Sequence, residues 1–294
     1  MILCGMAAYA ATICVNPGGT SGCSALPSAA VAAAVNNDVI VIKPGTYSEP
    51  GTINITKTGL KISGENPTNT RITNAVLANV FTVPLNAGAS AEISGLTITG
   101  GLDGIQISGG NGAITIHHNH IVFNGGNGIS ESNASFVAYN NIILSNNLAG
   151  INGFGGTGVV YNNIVGKNSS GGISDGSCCG VMSASYNSSY GNGIGGTTNY
   201  SNIDGNIGNL TLDCLFVGTG DYRLQAASPC RDTGNPGFFD VDGTRSDMGS
   251  FGGTAAAAFW PYGNGGPVIT DLTLDPVIVP RGGTLSINAT GEIR

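Results

Sequence analysis

Charge is what this sequence has least of. Only 9% of its 294 residues are Asp, Glu, Lys or Arg, against about 25% in an ordinary globular domain. Ten are basic and 17 acidic, for a net charge of −7. So few cations make no basic patch. That argues against nucleic acid as a partner, because Lys and Arg on phosphates supply most such affinity. An acidic surface also repels polyanions unless a cation bridges them. No stretch reaches 18 consecutive apolar residues, so no membrane-spanning helix is expected. Disorder is excluded too, since 41% of the residues are hydrophobic and charge is low. Helical periodicity is nearly missing: the one candidate is the Ala-rich stretch 27–35, opened by Pro27 or Ser28.

What is abundant is glycine, 49 residues, and it recurs in a pattern. Gly-Ile stands at Gly104-Ile105, Gly128-Ile129, Gly150-Ile151, Gly172-Ile173 and Gly193-Ile194, at intervals of 24, 22, 22 and 21 residues. A second marker keeps similar spacing: His118-Asn119-His120-Ile121, Tyr139-Asn140-Asn141-Ile142, Tyr161-Asn162-Asn163-Ile164 and Tyr186-Asn187-Ser188-Ser189. Between the markers lie short β-branched runs such as Ile114-Thr115-Ile116, divided by Gly and Asn. A unit of about 22 residues made of such strands cannot bury its own apolar face and must stack on the next copy. Each coil advances by one strand spacing, about 4.8 Å, so equivalent side chains lie above one another. The markers predict an amide ladder through Asn119, Asn140, Asn162 and Asn187.

These residues form the pattern of a right-handed parallel β-helix of about eight to ten coils. Residues 26–253 resemble the pectate-lyase-like superfamily, within it the secreted bacterial proteins built of plain β-helix repeats. That superfamily holds lyases, hydrolases, epimerases and non-enzymes, so the resemblance implies a fold and no single reaction.

Residues 1–11 read as the end of a secretory signal, with Ala8-Tyr9-Ala10 as a small-x-small cleavage site, and imply an extracellular or cell-surface protein. The β-helix is expected over residues 12–253, with an N-terminal cap at 12–37 and a C-terminal cap at 213–253. The Ala-rich helix, followed by Asp38–Ile42 and Pro44-Gly45-Thr46-Tyr47, resembles the entry of many β-helix proteins, where a helix plugs the open first coil. Residues 254–266 read as a linker. Residues 267–294 resemble the first strands of an immunoglobulin-like β-sandwich, too few to complete one. Either a larger sandwich continues beyond them, or their edges add to another chain by β-augmentation. Six cysteines follow the signal, and an even number in an exported chain suggests disulfides. Cys14–Cys23 and Cys214–Cys230 are the local pairings; Cys178 and Cys179 could bridge each other or stay free.

Chemistry is sparse. Ile93, His118, Tyr139, Tyr161 and Tyr186 are expected in one column, facing the interior by strand alternation rather than forming a sugar platform. His118 and His120 could chelate a metal, but no third ligand sits at the matching position of the next coil. Glu131 and Asp175 share a column two coils apart, about 9–10 Å, near the carboxyl separation of inverting glycosidases. They are the candidate acid and base, with Asp103 in support; the alternative is solvated turn residues. Asp240, Asp242 and Asp247 are candidate Ca²⁺ ligands, although the full calcium-loop pattern is absent; otherwise they cap turns. Against catalysis, the only Lys or Arg between residues 91 and 222 is Lys167. No Asp-Asp pair of the polygalacturonase kind and no Asp-Pro-His of the epimerase kind occurs. If the chain is an enzyme, it is a polysaccharide lyase, hydrolase or epimerase whose motif is unmatched. The expected function is to bind or modify polysaccharide along one face; the alternative is a non-catalytic rod in a surface or matrix. An ice-binding face would need a flat threonine array, which the sequence does not form.

Overall fold

A computed structural model describes residues 10–85, 90–110, 112–176, 180–260, 267–275 and 286–293, the last two ranges in backbone only. Three all-parallel sheets of eight, seven and seven strands wind into a right-handed parallel β-helix. Each coil gives one strand to each sheet. In a central coil these are Ser135–Tyr139 on face A, Ile142–Leu144 on face B and Ala149–Gly153 on face C. Seven such coils run from Val39–Ile42 to Tyr200–Ser201, and Thr12–Val15 adds one strand to the start of face A.

Register makes the core. Ile40, Ile62, Ile93, Ile116, Ala138, Val160 and Ala184 pair in succession down face A. All seven are fully buried. Face C contributes Ile105, Ile129, Ile151 and Ile173, so four of the five Gly-Ile markers stack as expected. Each buried isoleucine contributes about 1.5–3 kcal/mol. The glycine beside it is fixed by the next coil: a Cβ on Gly128 would lie 2.6 Å from the Gly150 carbonyl. The fifth marker fails. Ile194 sits in a 3₁₀ turn and is 95% exposed, while Tyr200 pairs with Ile173 in its place.

The amide ladder exists, but one residue away from two of the expected positions. Asn119 donates to Asn141 (3.1 Å), Asn141 to Asn163 (2.9 Å), Asn163 to Asn187 (3.0 Å) and Asn187 to Asn209 (3.2 Å). Asn140 and Asn162 instead hold the turn position before it, with φ of 49° and 56°. Aligning rings misplaced them, because His117, not His118, pairs with Tyr139, which pairs with Tyr161. A second ladder runs along the corner between faces B and C through Asn124, Asn146, Asn168, Asn192 and Asn199.

The helix Pro27–Ala33 lies at the first coil with Pro27, Ala30 and Val31 buried. Leu26 cannot cap it, so buried Glu49 accepts from the Ser28 amide at 3.0 Å. The disulfides Cys14–Cys23 and Cys214–Cys230 are formed. Cys178, Cys179 and residues 1–9 lie outside the described residues.

After the seventh coil, Asp204 and Leu210 bridge to Ser183 and Ser188 as a partial eighth turn. The chain then turns back and lies along the outside of face B as a strap. Asn162 bonds Ser246, Asn140 bonds the Asp247 and Gly249 carbonyls, and Asn66 bonds the Phe259 carbonyl. The strap thus passes from the last coil toward the second. A second apolar core forms beneath it: Val122, Ile142, Leu144, Ile164 and Tyr190 from face B against Cys214, Cys230, Met248 and Phe251. Two expectations change. Residues 213–253 cover a flank rather than an end, and residues 254–260 belong to the strap rather than to a linker, with Ala256 and Phe259 buried. Further on, Pro267–Asp275 pairs antiparallel with Ser286–Ile293. The expected strand at 277–279 lies outside the described residues.

Candidate functional site

Glu131 and Asp175 do fall in one column, through the pairing of Gly153 with Asp175 and of Ser130 with Asn152. That column faces inward, continuing Ile107, which pairs with Glu131. Both acids are only 4% exposed, so neither is a solvated turn residue. Glu131 accepts from the Ala134 amide at 2.5 Å and the Phe154 amide at 3.0 Å, and closes two turns. Burial raises its pKa, against the opposing effect of those amides. A carboxylate enclosed in this way supports the coil rather than meeting a polymer. Asp103 is not brought to them: it accepts from Ser130 Oγ and the Asn127 amide, both at 2.6 Å, on the outward side of face C.

Asp240 and Asp247 come together, but the third member of their group is Asp232, with carboxylate oxygens all within 4.8 Å. Asp242 stands apart and caps its own turn through Thr244. Asp240 accepts from the Asp247 and Gly253 amides, and Asp247 from the Asp232 amide at 2.7 Å. Burial, then the charges of Asp240 and Asp232, push the Asp247 carboxyl up to about 7. Any cation in this region would therefore be held by Asp232, Asp240 and Asp247.

The expected column breaks up: Ile93 lies in the core, His118 and Tyr186 take turn positions at positive φ, and Tyr139 and Tyr161 face outward. The positive φ of His118 ends the strand alternation that would have turned it into the core. His117, Tyr139 and Tyr161 stack at 4.9 and 5.1 Å, and Phe238 closes the stack at 5.3 Å. Their faces cover one another along the stack, and Phe238 at its end is 45% exposed. His118 and His120 lie beneath the strap, bonded to the Gly252 carbonyl and to Ser250 Oγ at 2.9 Å each.

The structure instead builds a groove at the corner of faces B and C. Phe123, Ser145 and Lys167 occupy equivalent positions there, each just before a ladder asparagine, with φ of 56°, 57° and 58°. Phe123 is 61% exposed. The hairpin of Phe216–Gly218 and Asp221–Leu224 forms the opposite wall, with Phe216 and Tyr222 edge to face at 5.3 Å. The enclosed volume is about 500 Å³. Lys167 Nζ lies 4.0 Å from Asp213 and 5.9 Å from the Tyr190 ring centre. Tyr190 is 5% exposed, and its hydroxyl turns toward Asp213 without completing a well-formed hydrogen bond. Burial, then the Asp213 charge, raises its pKa. A second hollow of about 290 Å³ shares Phe123 and Ser145 and extends to Leu77. Together they run along the helix axis. Sequence reasoning singled out Lys167 as a lone cation but missed the groove; the usable signal was the residue preceding each of Asn124, Asn146 and Asn168.

No protein-family model and no curated protein matches the sequence. Among solved structures, the chain is similar to ORF18 of Geobacillus virus E2, at 16% identity and TM-score 0.45, over 60% of this chain and 41% of that one. It therefore spans less than half of that protein. Pectate lyase Pel9A aligns over 83% of this chain and 96% of that one, at 16% identity and TM-score 0.40. Pectin methylesterase PemA from Erwinia chrysanthemi aligns over 61% and 56%, at 15% identity and TM-score 0.37. The strand pairing described above establishes the parallel β-helix fold on its own.

Proposed function

We propose that this chain is a secreted or cell-surface protein that binds polysaccharide in the axial groove at the corner of faces B and C. One observation carries the reading: rings and polar groups line a trough that follows the helix axis. Phe123, Phe216 and Tyr222 offer apolar surface, while Lys167, Asp213 and Gln225 offer charge and amide groups. Mostly apolar walls with a few placed polar groups are the usual make-up of a ligand site. A trough continued by the second hollow suits an extended polymer better than a compact metabolite. Export is supported by the two disulfides and by the apolar leader. Binding is favoured over hydrolysis because Asp213 is the one carboxylate among the residues lining the 500 Å³ groove, whereas two flanking carboxyls do that chemistry. The rod reading is compatible with this one, since two amide ladders stiffen the same solenoid.

A glycan array followed by product analysis tests the proposal. The expected result is polysaccharide binding that falls at least about 10-fold in Phe123→Ala, with no new reducing or unsaturated ends. Binding unchanged in Phe123→Ala would remove the groove from the reading, and new ends would make the protein an enzyme.

A further inference from the structure

We infer that the deep end of the groove is a subsite for one neutral sugar ring, its neighbouring hydroxyls bridging Lys167 and Asp213 and a third hydroxyl meeting Tyr190. The inference rests on the groove reading above and narrows it to a class of sugar.

The first observation is Tyr190. Its side chain lines the groove, is 5% exposed, and carries a hydroxyl that turns toward Asp213 without completing a well-formed hydrogen bond. Buried hydroxyls are almost always paired, so an incompletely paired one beside a cavity marks a place where a ligand completes the set. Sugar hydroxyls both donate and accept, and can satisfy it in either sense.

The second observation is the spacing of Lys167 and Asp213. At 4.0 Å they sit at the limit of an ion pair, and their side chains are 61% and 49% exposed. Such a pair is loosely held and can part to admit a ring. The ammonium then donates to one ring hydroxyl while the carboxylate accepts from its neighbour. The Phe216 and Tyr222 rings stand beside this point and can cover the apolar face of a pyranose.

Charge selects against a uronate. Lys167 and Asp213 cancel, and Arg223 on the hairpin is already held by Asp221 at 2.6 Å. Among the residues lining the groove Lys167 is the one cation, already offset by Asp213, and the protein carries a net −7. Desolvating an unmatched carboxylate is costly, whereas hydroxyls meet partners.

Isothermal titration of the intact protein with neutral-hexose and uronate oligosaccharides of equal length tests this. The neutral ligand should bind at least about 10-fold more tightly, with Lys167→Met and Asp213→Asn each losing about 10-fold or more. Tyr190→Phe should also weaken binding, while its thermal midpoint does not fall, since it deletes an incompletely paired group. Tighter uronate binding that depends on Lys167 would overturn the subsite yet keep the groove. Equal affinity of Tyr190→Phe and parent would overturn the part given to Tyr190. Binding by neither class would end both readings.

Discussion

Mild acid should loosen the strap from face B before the solenoid melts. His118 and His120 lie between the two, 0% and 2% exposed. Burial holds both pKa values down at about 3, with the neighbouring His117 adding to the effect on His118. Once the strap lifts they return to about 6.5. A histidine with a depressed folded pKa contributes stability above its unfolded value, and loses it as pH falls through about 6.5 toward 3. Between pH 7 and about pH 4.5 each should give up about 2.7 kcal/mol, or about 5 kcal/mol for the pair. Asp247 works the other way. Its carboxyl is raised to about 7, so its contribution is full below its unfolded value near 3.8 and is lost as pH rises. Acidification over the same interval returns about 3 kcal/mol, leaving a net loss of about 2 kcal/mol.

Other titrating groups around these sites are few. His118 faces His117 and Tyr139, His120 faces Tyr222, and Asp247 faces Asp240, Asp232 and Arg231. The assay is built in. Trp260 is the only tryptophan and sits in the strap, stacked on Phe251 at 4.2 Å, with its indole N–H donating to the Ser250 carbonyl. Its emission in a denaturant titration reads strap docking directly. The parent should lose up to about 2 kcal/mol on acidification, and Asp247→Asn up to about 5 kcal/mol, because the larger compensating carboxyl is gone while Asp240, also raised by burial, still offsets part of the loss. A parent as stable at pH 4.5 as at pH 7, or an Asp247→Asn variant no more acid-sensitive than the parent, would refute the reasoning.

Asn141→Ala should cost about 2–4 kcal/mol of solenoid stability by chemical denaturation, since it strands the Ile116 and Tyr139 carbonyls and breaks the ladder on both sides. Asn140→Ala should leave far-ultraviolet melting of the coils nearly intact and shift the Trp260 signal instead, because its bonds run to Asp247 and Gly249 of the strap. Glu131→Gln should destabilise by about 1–3 kcal/mol in the same measurement, as an amide NH₂ would face the Ala134 or Phe154 amide; a neutral result would return Glu131 to the surface. Removing the Cys214–Cys230 bridge, with a sequence separation of 16, should cost about 3 kcal/mol, and the Trp260 midpoint checks it.

The coils were legible because their cause is local. A glycine that cannot carry a Cβ, such as Gly104, Gly128 or Gly150, must recur once per turn, so four Gly-Ile markers gave the period and the face C column correctly. The amide ladder was legible in kind but not in place. Two adjacent asparagines, Asn140 and Asn141, offer the same chemistry, and only the backbone distinguishes them: the first turns at positive φ, the second points back into the corner. A one-residue choice then turned His118 and the tyrosines to the wrong side, as a register slip does.

The strap and the groove were hidden for a different reason. Both depend on where a nonrepeating segment returns, and no periodicity records that. Yet the sequence held an unread sign in the outward positions of face B. His120, Ile142, Ile164 and Tyr190 are bulky or apolar where a solvent-facing strand should be polar. Ile142 and Ile164 are fully buried on the outside of the solenoid, against Met248 and its neighbours. On face C the equivalent outward positions are Gln106, Ser130, Asn152 and Ser174, and among the described residues no strap lies there. Apolar residues on both sides of one short strand mean two cores, and here the segment after the last coil supplies the second through Cys214, Cys230, Met248 and Phe251. The groove follows from that: where the strap's first hairpin stops short of the Phe123, Ser145 and Lys167 corner, it leaves a trough rather than a sealed interface.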